Sequence, residues 1–244
     1  MRRIPRTVVL PLALIAACTP APAVRTDHRP PPPRPMSVDV DHVILGIDSL
    51  ERGIELLRQA TGVTAVFGGA HPGRGTHNAL IGLGHGRYLE LLAPDPHQPR
   101  TPETADLSAL HALTPVGWAV RAANAEQVRD DARAHGLPGG FVRPGSRQRP
   151  DGSTLRWRTL NPWGSESDLL PFFIEWAPDS PHPSMDAPGG CTLVELRLAS
   201  PAADSLQASL RRGGVEVDVA HGPADAIFIT LDCPTGRIRF PAAR

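Results

Sequence analysis

The stretch HPGRGTHNALIGLGHGRYLELLAPDP, residues 71–96, decides how this chain is read. Gly73 and Gly75 permit a tight polar loop, and the short alternating run that follows reads as a strand. A second glycine cluster leads into RYLELLA, an apolar run holding a single acid, Glu90. Burying an unpaired carboxylate is expensive, so Glu90 calls for a partner or a chemical job.

Upstream, VDVDHVILGID alternates as a strand, and SLERGIELLRQATG carries a helical stripe of Leu50, Ile54 and Leu57. Asp48 and Glu51 stand at capping-box spacing, and Gly62 sits where a helix-terminating glycine belongs. VTAVFGGA supplies one more strand, so the order is βαβββ. That order recurs. PVGWAVRAAN is a strand, and AEQVRDDARAHGL is a helix with Asn124 and Gln127 at cap spacing and Gly136 at its end. GGFVRPG, STLRWRTL and LPFFIEWA are three further strands. A third, shorter copy runs from CTLVELRLAS through a helix opened by Pro201 to VEVDVA, AIFITLDC and GRIRF. Repeated units of this kind cover each other's apolar faces.

The repeat, the opening DHVILGI, the segment HPGRGTHNALI, the RYLELLAP run and LPFFIEW followed by HPS resemble the glyoxalase-like branch of the vicinal oxygen chelate superfamily. The resemblance covers residues 38–184 and extends more loosely to the third unit. It implies an α+β fold whose repeated βαβββ units form cupped mixed sheets around a cavity. It also implies, in metal-using members, a histidine on the first strand of a unit and a carboxylate on the last. His42 and Glu90 match those places in unit one. Sliding RYLELLAP onto FFIEWAP sets Glu175 in the corresponding place of unit two, and sliding DHVILGID onto GWAVRAAN sets Trp118 where a second histidine would stand.

The expected metal set is therefore His42, Glu90 and Glu175, with Glu90, Glu175 and His77 as catalytic candidates. Nitrogen and oxygen donors suit zinc, manganese, iron or nickel, and open positions would take two neighbouring substrate oxygens. A lyase, isomerase or dioxygenase follows, although the set departs from the two-histidine triad of iron oxygenases. The alternatives are a metal-free binding or sequestration protein on the same fold and a structural lipoprotein with a relic cavity. In either, His42 is a core histidine, and arginines or amides hold the acids. The loops offer His71, Arg74 and Asn78 from unit one and Arg149 and Trp157 from unit two; with Trp118 these are the expected substrate contacts.

The start MRRIPRTVVLPLALIAAC has a basic head, a short apolar middle and small residues before Cys18. Residues 1–18 read as a secretory signal, and the IAAC ending resembles a bacterial lipobox with Cys18 as the acylated residue. The proline-rich residues 19–36 read as a tether. The folded part then divides into residues 37–184, the paired units, and 185–244, the third unit packed on the same domain. The expected place is the bacterial cell envelope, periplasmic or outer surface, with membrane contact through the lipid alone. The remaining cysteines, Cys191 and Cys233, form either a disulfide or two buried thiols.

Acids and bases balance at 25 each, and aromatic residues are 5% of the chain, which excludes a basic or stacking surface for nucleic acid. Arginine carries the positive charge; the lysine of a phosphate-binding loop is missing, so no nucleotide cofactor is expected. No G-x-S-x-G elbow supports serine hydrolysis. The expected partners are a small polar organic molecule and, as an open option, a second copy of the chain.

Overall fold

A computed structural model describes residues 38–241, apart from 150 and 166. The signal, Cys18 and the tether lie outside the described residues.

Unit one opens with β1 (Val40–Gly46), buried along its whole length because both faces of the strand are covered. Helix α1 (Leu50–Thr61) follows. Its N-cap is Ser49, whose hydroxyl accepts from the Arg52 amide. Asp48, expected as the cap, instead binds the Arg52 and His111 side chains. Gly62 closes the helix at φ 75°, a left-handed geometry that a residue with a Cβ resists. Three strands follow, β2 (Val66–His71), β3 (Thr76–Gly82) and β4 (Tyr88–Pro94). A short helix absent from the sequence reading, α2 (Pro102–Ser108), links the units. Thr101 caps it, and Leu107 packs against Ile44 and Leu92.

Unit two repeats the plan with β5 (Thr114–Arg121), α3 (Ala125–Ala134), β6 (Val142–Gln148), β7 (Thr154–Leu160) and β8 (Phe172–Trp176). Asn124 caps α3 by accepting from the Gln127 amide. The units join through antiparallel β1 and β5, giving one eight-stranded sheet of order β2-β3-β4-β1-β5-β8-β7-β6. In each unit the last strand lies parallel to the first. The sheet curls until β2 and β6, its two ends, come close: a Cβ on Gly69 would lie 2.4 Å from the Gln148 carbonyl oxygen. The result is a cup nearly closed into a barrel.

Residues 192–240 contain β9 (Thr192–Ser200), α4 (Ala203–Arg212), β10 (Asp218–His221), β11 (Ala226–Cys233) and β12 (Gly236–Phe240). The element order is the expected βαβββ, but the wiring differs. Here β10 pairs parallel with β9 through the α4 crossover, and β11 takes the other side of β9. This third unit is a separate four-stranded sheet, β10-β9-β11-β12, and not a third segment of the cup. Cys191 and Cys233 are joined in a disulfide across its end.

One apolar core joins α1, α3, the outer face of the large sheet and the small sheet, through residues such as Leu45, Leu57, Leu91, Trp118, Leu198 and Ile229. The inner face of the cup is left to a cavity.

Candidate functional site

Strand alternation decides which side chains reach the cavity. On β1, Val43 and Leu45 face the core, while His42 and Ile44 face inward. On β4, Leu89 and Leu91 face the core, while Tyr88, Glu90 and Leu92 face inward. The cavity holds about 1490 Å³, ample for a small organic molecule.

Glu90 is 8% exposed and sits on the cavity wall. One carboxylate oxygen accepts from Asn78 Nδ2 at 2.7 Å. His42 Nε2 and His71 Nε2 approach the two oxygens at 3.6 Å each, too long for a shared hydrogen. Burial works to raise the Glu90 pKa; His71, His42, the Asn78 bond and Arg147 outweigh it and hold the carboxyl below the usual glutamate range. Burial pushes the His71 imidazole the other way, below the ordinary histidine value.

Behind His42 lies a second acid that the sequence reading passed over. Asp41 is the extra residue of a bulge in the β1–β5 pairing, and it is fully buried. Its carboxylate accepts from His42 Nδ1 at 2.8 Å and Arg121 Nε at 3.1 Å. It also meets His182 Nε2 at 3.0 Å and the Trp176 indole nitrogen at 3.3 Å. Burial opposes ionisation of Asp41, and the bonds and charges of His182 and His42 overcome it, so its pKa is strongly depressed. An ionised Asp41 keeps the His42 proton on Nδ1 and leaves Nε2 facing Glu90 as a proton acceptor. The ring of Tyr88 stacks on His42 at 4.5 Å. Full burial raises the Tyr88 phenol well above its usual value, so it stays protonated. The signal for Asp41 was the one used for Glu90, an acid inside an apolar strand.

The candidates separate into two groups. His42, His71, Arg74, Asn78, Glu90, Trp157 and Glu175 all border the cavity, Glu175 with its carboxylate engaged elsewhere. His77 lies on the opposite face of β3 from Asn78, edge-on to Phe67 at 6.1 Å, and is removed from Glu90. Trp118 points into the core, fully buried, with its indole nitrogen donating to the Leu169 carbonyl at 3.1 Å. Arg149 is tied to Asp186. Glu175 is held by both oxygens on Arg158 at 2.6 Å and by the Ala125 amide at the start of α3 at 2.8 Å.

The Glu175 and Trp118 expectations are corrected by a one-residue register difference. Tyr88 pairs with His42 as Phe172 pairs with Ala119, and Glu90 pairs with Ile44 as Ile174 pairs with Arg121. The unit-two counterparts of His42 and Glu90 are therefore Ala119 and Ile174. In a strand, one residue of slip turns a side chain to the other face. Neither counterpart can donate to a metal. Among the described residues no three His, Cys, Asp or Glu side chains are grouped to share an ion. The donor set does not fit the four-ligand site that the resemblance implies.

The sequence profile of the glyoxalase-like domain family matches residues 40–213. A hypothetical protein from Staphylococcus aureus superposes with a TM-score of 0.60 at 16% identity, over 77% of this chain and 87% of its own. Methylmalonyl-CoA epimerase from Mycobacterium tuberculosis superposes at 0.41 with 20% identity, over 59% of this chain and 93% of its own. No curated protein is similar enough in sequence to match.

Proposed function

This chain belongs to the glyoxalase-like domain family, and from that premise we propose that its cup binds a small polar organic molecule and moves a proton on it without a metal. The family match covers both paired units that build the cup. The observation that carries the reading is Glu90, a buried carboxylate on the cavity wall with two imidazole nitrogens 3.6 Å away.

Ionised Glu90 takes a proton from a carbon next to a carbonyl, and the electron pair left behind moves into that carbonyl. With ligand bound, contraction of the 3.6 Å separation lets His42 Nε2 accept the proton from Glu90, with the Asp41 carboxylate stabilising the imidazolium. Return of the proton to the same or the neighbouring carbon completes an isomerisation with no oxidant or reductant. Asn78 fixes the Glu90 rotamer through its 2.7 Å bond. Chelation of vicinal oxygens would need donors from both units, and Ala119 and Ile174 supply none, so no step is drawn through an ion. Acylation at Cys18 would anchor the domain to the bacterial envelope; labelling with radioactive palmitate, lost in Cys18→Ala, checks it.

The test is deuterium wash-in from heavy water at the carbon beside the carbonyl of simple 2-oxo acids such as pyruvate, followed by proton NMR. Exchange above background is expected, unchanged by chelator and reduced by about two orders of magnitude in Glu90→Gln. Equal exchange in Glu90→Gln, or its loss on chelation, overturns the reading.

A further inference from the structure

Among the described residues, Arg147 is the one arginine of the cavity wall that is itself almost completely enclosed. It is 4% exposed, inward-facing on β6, and reaches the seam where the two ends of the large sheet meet. Its Nη1 has no hydrogen-bond partner among the described residues. Across the seam, Asn78 Oδ1 is buried and unpartnered in the same way. Both atoms crowd one spot: a Cβ on Gly68 would lie 2.8 Å from Arg147 Nη1 and 2.3 Å from Asn78 Oδ1. Gly68 leaves that room open. Arg143, on the same face of β6, is exposed to solvent, and Arg156 and Arg158 of β7 turn to the opposite face, where they pair with Asp179 and with Glu175 and Glu126.

A guanidinium taken from water without a contact partner is costly, and Glu90 balances its charge only from a distance. The polar groups of the cavity, His42, His71, Asn78, Tyr88 and Glu90, stand on the unit-one wall, while Trp157, Trp176, Phe172 and Ile174 give unit two an aromatic and apolar wall. We infer that Arg147 is the anchor for the anionic head of the ligand, and that the ligand is a small organic carboxylate with an apolar body. The carboxylate pairs with the guanidinium, and the body lies on the aromatic wall of unit two. This rests on the cavity being the ligand site proposed above. It puts the carbon bearing the carboxylate on the side of the cavity where Glu90 stands.

The experiment uses the full chain and reads binding alone, so it stands or falls apart from proton transfer. Thermal unfolding is followed with millimolar benzoate, with benzamide as its neutral counterpart, and with inorganic phosphate. Benzoate stabilises the wild type, and benzamide and phosphate do not. Arg147→Met weakens benzoate binding by about tenfold or more, whereas Arg143→Met, at the exposed rim, keeps it. Glu90→Gln keeps benzoate binding even though exchange is lost. If Arg147→Met does not fold, Gly68→Ala serves, because its added methyl falls 2.8 Å from Arg147 Nη1 and 2.3 Å from Asn78 Oδ1 and displaces both from the head-group position, with the same loss. Equal shifts with benzoate and benzamide overturn the assignment. So does benzoate affinity within twofold of wild type in both Arg147→Met and Gly68→Ala, or stabilisation by phosphate in place of benzoate.

Discussion

Units one and two share a scaffold and differ in what they turn inward. Unit one presents His42, Tyr88, Glu90 and Asn78 to the cavity; at the matching registers unit two has the fully buried Ala119 and the cavity-lining Phe172, Ile174 and Trp157. Four polar or titratable groups on one side face three apolar side chains and an indole on the other. Duplication set two equivalent walls around one hollow, and the walls then took separate work. One holds acid–base groups in a hydrogen-bonded network. The other offers aromatic surface, with Arg147 as its inward cation. The same contrast separates the two acids that look alike in sequence. Glu90 meets an amide and two imidazoles beside open space, whereas Glu175 is neutralised by a guanidinium and a helix N-terminus.

The contrast can be broken most strongly behind His42. Asp41→Asn removes the charge that Arg121, His182 and the Trp176 indole all converge on. A loss of about 3 kcal/mol in urea unfolding is expected, because breaking a buried charge network leaves its partners unpaired. Exchange should fall with it, since the His42 tautomer is no longer held. A variant as stable as wild type would show that the network does not order the site.

Grafting unit one onto unit two sharpens the comparison from the other direction. Ala119→His with Ile174→Glu restores donors at the matching registers, and the purified double variant is expected to retain close to one equivalent of zinc by metal analysis. Retention no higher than wild type would mean that the two walls do not converge as their registers imply.

The pH dependence follows from Glu90. Its carboxyl lies below the ordinary glutamate value of 4.5, so the base stays ionised through neutral and mildly acid pH. Exchange should be lost through Glu90 only as pH drops below that ordinary range; a Glu90 carboxyl carbon that titrates near pH 6 by NMR contradicts it. Asp41 acts in the same sense on stability. Its depressed pKa contributes stability that is fully present above the ordinary aspartate value of 3.8, and that is lost as pH falls towards its own folded-state pKa.

The smallest effect is expected at the other acid. Glu175→Gln keeps the Ala125 contact and loses a pairing with Arg158, whose side chain is 38% exposed, so about 1 kcal/mol or less is at stake. Exchange should be unchanged. A large loss of exchange would place Glu175 in the reaction after all.

Much of this was legible in residue patterns. Period-2 alternation, the glycine at 62 and the Asn124 cap marked the elements, and the inward place of Glu90 followed from an acid in an apolar strand. The cap at Ser49 was missed because Asp48 offered an equally good side chain one residue earlier. The Glu175 assignment failed on a single position. Matching Ala93-Pro94 to Ala177-Pro178 sets Ile174 against Glu90, and the glutamate next door drew the alignment off by one. The helix at 102–108 carried a cap in Thr101 and a proline at its start, but at seven residues it gave too little period to stand out.

The sequence by itself determined the repeat, the strand and helix order and the presence of a buried acid, because these depend on spacing along the chain. Tertiary structure alone decided which acid meets which partner. Glu90, His42, His71, Asn78 and Arg147 come from five strands, and only the curl of the sheet brings them around one cavity. It also decided that the third βαβββ run builds its own sheet, since identical element order permits two wirings and the choice lies in which edge the returning strand finds free.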